Sequence, residues 1–180
     1  MAIPLSDEIR ALLDGPNFAH LATLMPDGSP QSAPVWVGRE GDRILICTGE
    51  GSLKAKNTRR DPRISLSIVD FRDPYQEAQL RGRVVERRPD GDFKYGDPNS
   101  IKYTGKPFPF RSPVGRVALV IEIEKARYTK LPFETYATQV MLCSASSALL
   151  VLKRRLRVTL RGVPFVHDHN TSGMPRLRPA

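Results

Sequence analysis

The chain has 180 residues, 40% of them hydrophobic and 26% charged, which suits one folded domain and excludes wholesale disorder. Its net charge of +9 is unevenly placed: residues 1–137 carry 21 Lys and Arg against 18 Asp and Glu, while residues 138–180 carry 7 against 1. The basic excess therefore sits mainly outside the central domain, which argues against a nucleic-acid-binding face there.

Ser6-Asp7-Glu8 opens a short helix, with Ser6 as cap and two acids at the positive dipole end, and Gly15-Pro16 closes it. Phe18 to Met25 reads as a buried strand, Pro26-Asp27-Gly28 as a turn, and Gln31 to Val37 as the returning strand. Arg39-Glu40-Gly41-Asp42 turns the chain again into a strand over Ile44 to Thr48. Ser52 to Arg60 lacks a β-branched run and reads as a short helix ended by Asp61-Pro62. Ile64, Leu66 and Ile68 alternate with Ser65, Ser67 and Val69, the period of a half-buried strand. Further strands are expected over Ala78 to Glu86 and Val117 to Ile123; the Pro- and Gly-rich segment between them, from Arg87 to Pro113, shows little periodicity.

Six strands at short spacing, with few helices, imply a mainly β domain: a closed, six-stranded antiparallel barrel. The composition changes near Thr138, giving a domain over 1–137 and a basic extension over 138–180. The extension reads best as poorly ordered, although Ala148 to Leu152 beside Lys153, Arg154, Arg155 and Arg157 has the composition of a membrane-surface segment. Cys47 and Cys143 form neither a disulfide framework nor metal-ligand spacing, and His167 with His169 lacks a third ligand. No apolar leader and no run of about 18 apolar residues are visible, so the expected location is the reducing cytoplasm.

Thr48-Gly49-Glu50-Gly51-Ser52-Leu53-Lys54-Ala55-Lys56-Asn57 joins a strand to a helix through a glycine-containing loop. Free amides and the positive dipole end favour an anion there, Ser52 can cap or donate, and Lys54 adds a mobile charge. Lys54 and Asn57 share one helical face, and Lys56 and Arg60 another. A capped surface helix with solvated lysines is the commoner use of such a pattern, and the P-loop spacing is absent.

Several segments together resemble the coenzyme F-420-dependent branch of the pyridoxamine 5'-phosphate oxidase-like superfamily. They are Ala22-Thr23-Leu24 with Asp27 to Gln31, Ser52 to Asn57 with Arg59 to Arg63, Pro74-Tyr75 with Arg81-Gly82-Arg83-Val84, and Tyr103 to Pro109. The resemblance spans roughly Leu5 to Leu131 and implies a six-stranded split β-barrel of the FMN-binding type, a homodimer with the cofactor at its interface. It implies that Lys54 meets the cofactor phosphate, with Ser52, Lys56, Asn57 and Arg60 around it. Gln31, Pro34 and Val35 would line the ring, Thr48 its edge, and Tyr75 and Gln79 would approach from the other subunit. Trp36 would belong to the substrate side or, as the safer reading of an aromatic on an apolar strand, to the core.

The implied activity is a reductase that passes a hydride from F-420 to a small conjugated or quinone-like acceptor, with no protein acid or base required. Lys56, Arg59 and Arg60 beyond Lys54 would offer counter-charges to the anionic tail of F-420. The alternatives are an FMN-dependent oxidase or flavin reductase of the same fold, and a non-enzymatic cofactor-binding protein. The chain departs from the family pattern over Arg87 to Ser100, where the sequence offers no clear amphipathic helix, and over residues 138–180.

Overall fold

Alternation shapes the centre of the sheet. In the computed structural model, which describes residues 2–112 and 114–133, Ile64, Leu66 and Ile68 are buried while Arg63, Ser65 and Ser67 face outward. These residues form β5 (Arg63–Val69), and the elements in chain order are α1 (Asp7–Asp14), β1 (Ala19–Leu24), β2 (Pro30–Val35), β3 (Gly38–Glu40), β4 (Arg43–Gly49), α2 (Leu53–Arg60), β5, β6 (Gln76–Pro89), α3 (Gly96–Thr104) and β7 (Arg116–Lys130). Seven antiparallel strands follow the order β2-β1-β5-β6-β7-β4-β3. Among the described residues the domain is thus mainly β with three short helices, in keeping with a split β-barrel.

Two expectations about the course of the sheet change first. The run read as one strand plus a turn is two strands, β2 and β3, separated only by Trp36 and Val37. The first pairs with β1 and the second with β4, so these chain neighbours form the two ends of the ladder. No ladder joins those ends, and the sheet is not closed by hydrogen bonds.

The core lies inside the curl. Leu5, Ile9, Leu12 and Leu13 from the N-terminal segment and α1 pack with Leu21, Ile44, Ile46, Leu66, Leu80, Leu119 and Ile121 from the strands. β6 and β7 run longer than expected because register shifts at Arg81/Gly82 and Val84/Glu86 bend them without ending the ladder. At the first bulge Gly82 is obligatory, since a Cβ there would sit 2.0 Å from the Glu122 carbonyl oxygen.

A helix does form in the segment read as irregular. α3 is organised from a distance: Asp90 Oδ1 accepts the backbone N–H groups of Tyr95 and Gly96 at 2.9 and 3.2 Å. Phe93 adopts a φ of 62°, and Gly105 closes the helix with a φ of 73°. Pro98 sits in the first turn, where its missing N–H costs nothing. Among the described residues, no helix is long and apolar enough to cross a membrane. The extension over 138–180, Cys143, His167 and His169 lie outside the described residues.

Candidate functional site

The end of β4 and the start of α2 form the expected strand–loop–helix. Ser52 is the N-cap: its Oγ accepts from the Ala55 amide at 3.3 Å and from Thr48 Oγ1 at 3.0 Å. The Ser52 amide donates to Gly49 O and the Lys56 amide to Ser52 O, whereas among the described residues the amides of Leu53 and Lys54 have no acceptor. Lys54 is half-buried and Lys56 exposed, and neither has a described carboxylate partner. Two open amides, the Ser52 hydroxyl and two ammonium groups without a described carboxylate partner are the donor set of an anion site, and they fit a phosphate ester; the Thr48 hydroxyl donates its proton to Ser52 Oγ and orients that group.

Glu50 is the one acid in this loop, and two guanidinium groups hold it. Arg59 and Arg87 each donate to its Oε2 at 2.7 Å, so its charge is largely balanced. Arg87 also donates to Ala55 O and Thr58 Oγ1, both at 3.3 Å, tying α2 to β6. Arg87 and Glu50 frame the site and escaped the sequence reading because their pairing spans 37 residues.

The other expected site residues divide. Asn57 does not face an open site: it is 1% exposed, and its Nδ2 donates to the buried Thr23 Oγ1 at 3.1 Å. Its side chain docks α2 onto β1, and Lys54 alone of that helical pair faces outward. Thr23 in turn stands opposite Gln31 in the β1–β2 ladder, which places Gln31 one strand from α2. Val35 belongs to the core at 8% exposure, because β2 alternates: Gln31, Ala33 and Val35 turn to one face and the exposed Pro34 to the other. Arg60 donates to the Leu24 carbonyl and so reaches the β1–β2 hairpin. Tyr75 precedes β6 and packs edge-on against Phe133, with ring centroids 5.1 Å apart. Gln79 is exposed on β6 and donates to Glu77 at 3.1 Å. Among the described residues no hydrogen bond joins Tyr75 or Gln79 to α2.

Trp36 is not part of the main core. It stacks on Tyr103 at 5.2 Å and 6° between planes, with Phe108 at its edge 6.5 Å away. Tyr103 is fixed by donating to Asn17 O at 2.6 Å and accepting from the Val37 amide at 3.1 Å. Lys102 Nζ donates to Leu13 O at 2.7 Å and to Val37 O, and burial pushes its ammonium pKa down to about 8. Burial, reinforced by Asp90, pushes the Cys47 thiol up to about 12, which keeps it protonated and unreactive. His20 on β1 is exposed.

Three solved structures resemble this fold. An F-420 reductase is 27% identical with a TM-score of 0.63, covering 69% of this chain and 98% of its own. A conserved hypothetical protein from Mycobacterium tuberculosis is 25% identical at a TM-score of 0.58, covering 74% of this chain and 92% of its own. General Stress Protein 26 from Bacillus anthracis shares the fold at 18% identity and a TM-score of 0.55, covering 68% of this chain and 92% of its own. The model of the pyridoxamine 5'-phosphate oxidase family matches residues 5–130. With that match extending from the segment before α1 to the end of β7, the chain belongs to the pyridoxamine 5'-phosphate oxidase family.

Proposed function

We propose that this protein is an oxidoreductase that uses coenzyme F-420 to reduce a small conjugated or quinone-like acceptor. The observation that carries the reading is the donor set at the start of α2: the open amides of Leu53 and Lys54, the hydroxyl of Ser52, which Thr48 orients, and the Lys54 ammonium, which has no carboxylate partner among the described residues. Likeness to an F-420 reductase at 27% identity supports the deazaflavin over other phosphate esters.

In this reading Ser52 and Lys54 hold the cofactor phosphate, and Lys56 extends the cationic row toward an anionic tail. Gln31 and Pro34 border the ring, and Tyr75 and Gln79 complete the site from a second copy in a homodimer. The bound deazaflavin supplies the hydride chemistry, so the protein's work is to bind, orient and exclude water. The wall formed by Trp36, Tyr103 and Phe108 suits a planar acceptor.

One observation favours FMN in the same place. Arg59 is engaged by Glu50 and Arg60 by the Leu24 carbonyl, so fewer cations are left for a polyanionic tail than the sequence suggested. FMN, which ends at its phosphate, needs only Lys54 and its neighbours.

The test is oxidation of reduced F-420 with a small quinone, followed by the deazaflavin's visible absorbance. Protein-dependent oxidation that saturates with quinone is expected. Tight F-420 binding without turnover on any electron-poor acceptor would contradict the enzymatic reading and leave a carrier.

A further inference from the structure

Tyr95, at the N-cap of α3, and Pro98, Asn99 and Lys102 within it follow the spacing that lines residues up along one helical face. With Asp14 at the end of α1 and Gly38 and Arg39 on β3, they line a cavity of about 250 Å³. Its lining shares no residue with the donor set at α2, with the β2 residues that border the ring, or with Tyr75 and Gln79.

Asn99 is 6% exposed, yet among the described residues no nitrogen or oxygen atom hydrogen-bonds to its carboxamide. Its polar neighbour is the Cys47 thiol, a weak acceptor. A buried amide without a strong partner is costly, and a ligand that engages it recovers that cost. Gly38 leaves the room, since a Cβ there would lie 3.0 Å from Asn99 Oδ1. The charges are unbalanced too. Arg39 commits its guanidinium to both oxygens of Asp14, at 2.9 and 2.6 Å, and to Gly41 O at 2.7 Å. Asp14 is the acid that acts on Lys102, but Arg39 holds it. Among the described residues neither Lys94 nor Lys102 is in an ion pair. Lys102 Nζ donates to Leu13 O and Val37 O, which leaves a third N–H of the ammonium for a ligand.

We propose that this cavity binds a small organic carboxylate, with its charged group on Lys102 and Asn99 and its apolar body against Leu45, Pro98 and Tyr95. Lys102 supplies a charge-assisted donor and Asn99 a neutral one, while the exposed Lys94 adds attraction at the rim. With the Arg39 fork committed, no planar two-pronged donor is left to favour a phosphate, and the apolar lining favours carbon over further oxygens. The volume lies just below the ~300–1,000 Å³ of sites for drug-sized ligands, which suits a small metabolite. Occupancy links α3 to the end of α1 and stabilises the fold by mass action.

The experiment is thermal unfolding of the full chain at fixed pH and ionic strength, titrated with benzoate, with its neutral isostere benzamide, and with inorganic phosphate. It is run in a Lys54→Ala background so that the α2 site does not contribute. Benzoate is expected to raise the melting temperature saturably, and benzamide and phosphate to do so weakly or not at all. Adding Lys94→Gln, an exposed change that leaves the packing intact, shifts the half-saturating benzoate concentration upward by about 2–5-fold. Adding Lys102→Gln shifts it by about tenfold or more. Should Lys102→Gln fail to fold, Lys94→Gln carries the test alone. No response to benzoate, an equal response to benzamide or phosphate, or a half-saturating concentration unmoved by Lys94→Gln would overturn the site.

Discussion

Asn57 carries the attachment of α2 to the barrel, and replacing it exposes how the anion site is positioned. Asn57 and Thr23 are each 1% exposed, and the Nδ2 to Oγ1 hydrogen bond of 3.1 Å joins them across 34 residues of chain. Asn57→Ala removes the donor and leaves the Thr23 hydroxyl buried without it. A neutral hydrogen bond contributes about 1 kcal/mol net, and a buried polar group stripped of its partner costs about 1–3 kcal/mol. We expect a loss of about 2–3 kcal/mol, equivalent to a fall in melting temperature of roughly 4–12 °C for a chain of this size. Thr23→Val removes the acceptor at nearly constant volume. Because replacing both partners spares the unpaired group, the double variant should cost less than the sum of the single ones, with a coupling of about 0.5–1.5 kcal/mol. Urea unfolding of the four proteins measures this from shifts in midpoint at constant slope. Additivity within about 0.3 kcal/mol would refute the hydrogen bond as the link that docks α2.

Lys54→Ala should weaken F-420 binding by about 1.5–3 kcal/mol with little change in stability, which calorimetric titration beside a melting curve would separate; unchanged affinity would remove Lys54 from the site. Gly82→Ala should abolish the native β6–β7 pairing, since its Cβ would lie 2.0 Å from the Glu122 carbonyl oxygen, and a soluble variant with native-like melting would contradict that geometry. Lys102 binds its proton less tightly folded, with a pKa of about 8, than unfolded, near the ordinary lysine value. Between pH 8 and the unfolded pKa the unfolded chain therefore holds more protons, so this group's contribution makes stability rise with pH. Stability measured from pH 7 to 9.5 should rise more steeply in the native protein than in Lys102→Met; parallel profiles would show that the buried ammonium is not desolvated as its contacts with Leu13 and Val37 indicate.

Where a local pattern decided the structure, the sequence was readable. The Ile64-Leu66-Ile68 alternation, the Ser52 cap and the Gly15 stop all describe interactions within a few residues, and each recurs in the structure. Partners distant in sequence decided the rest. α3 depends on Asp90 presenting its carboxylate to two amides five and six residues on, with Phe93 at positive φ between them, and no amphipathic stripe announces it. β3 is three residues long, too short for a period to show. The strand–loop–helix that carries Thr48, Ser52 and Lys54 was legible. Helical spacing grouped Asn57 with Lys54, but it could not reveal that Thr23 would bury one of them. The pairing of Glu50 with Arg59 and Arg87, nine and 37 residues away, left no local pattern to read.

The central claim is that the donor set around Ser52 and Lys54 receives the phosphate of a deazaflavin. Titration of the purified full chain with F-420 and separately with FMN, followed by quenching of Trp36, the sole tryptophan, tests it most directly. The account predicts saturable F-420 binding much tighter than FMN binding, and weakened by Lys54→Ala. Preferential FMN binding would contradict the deazaflavin assignment while leaving the phosphate site in place, and binding of neither would contradict both.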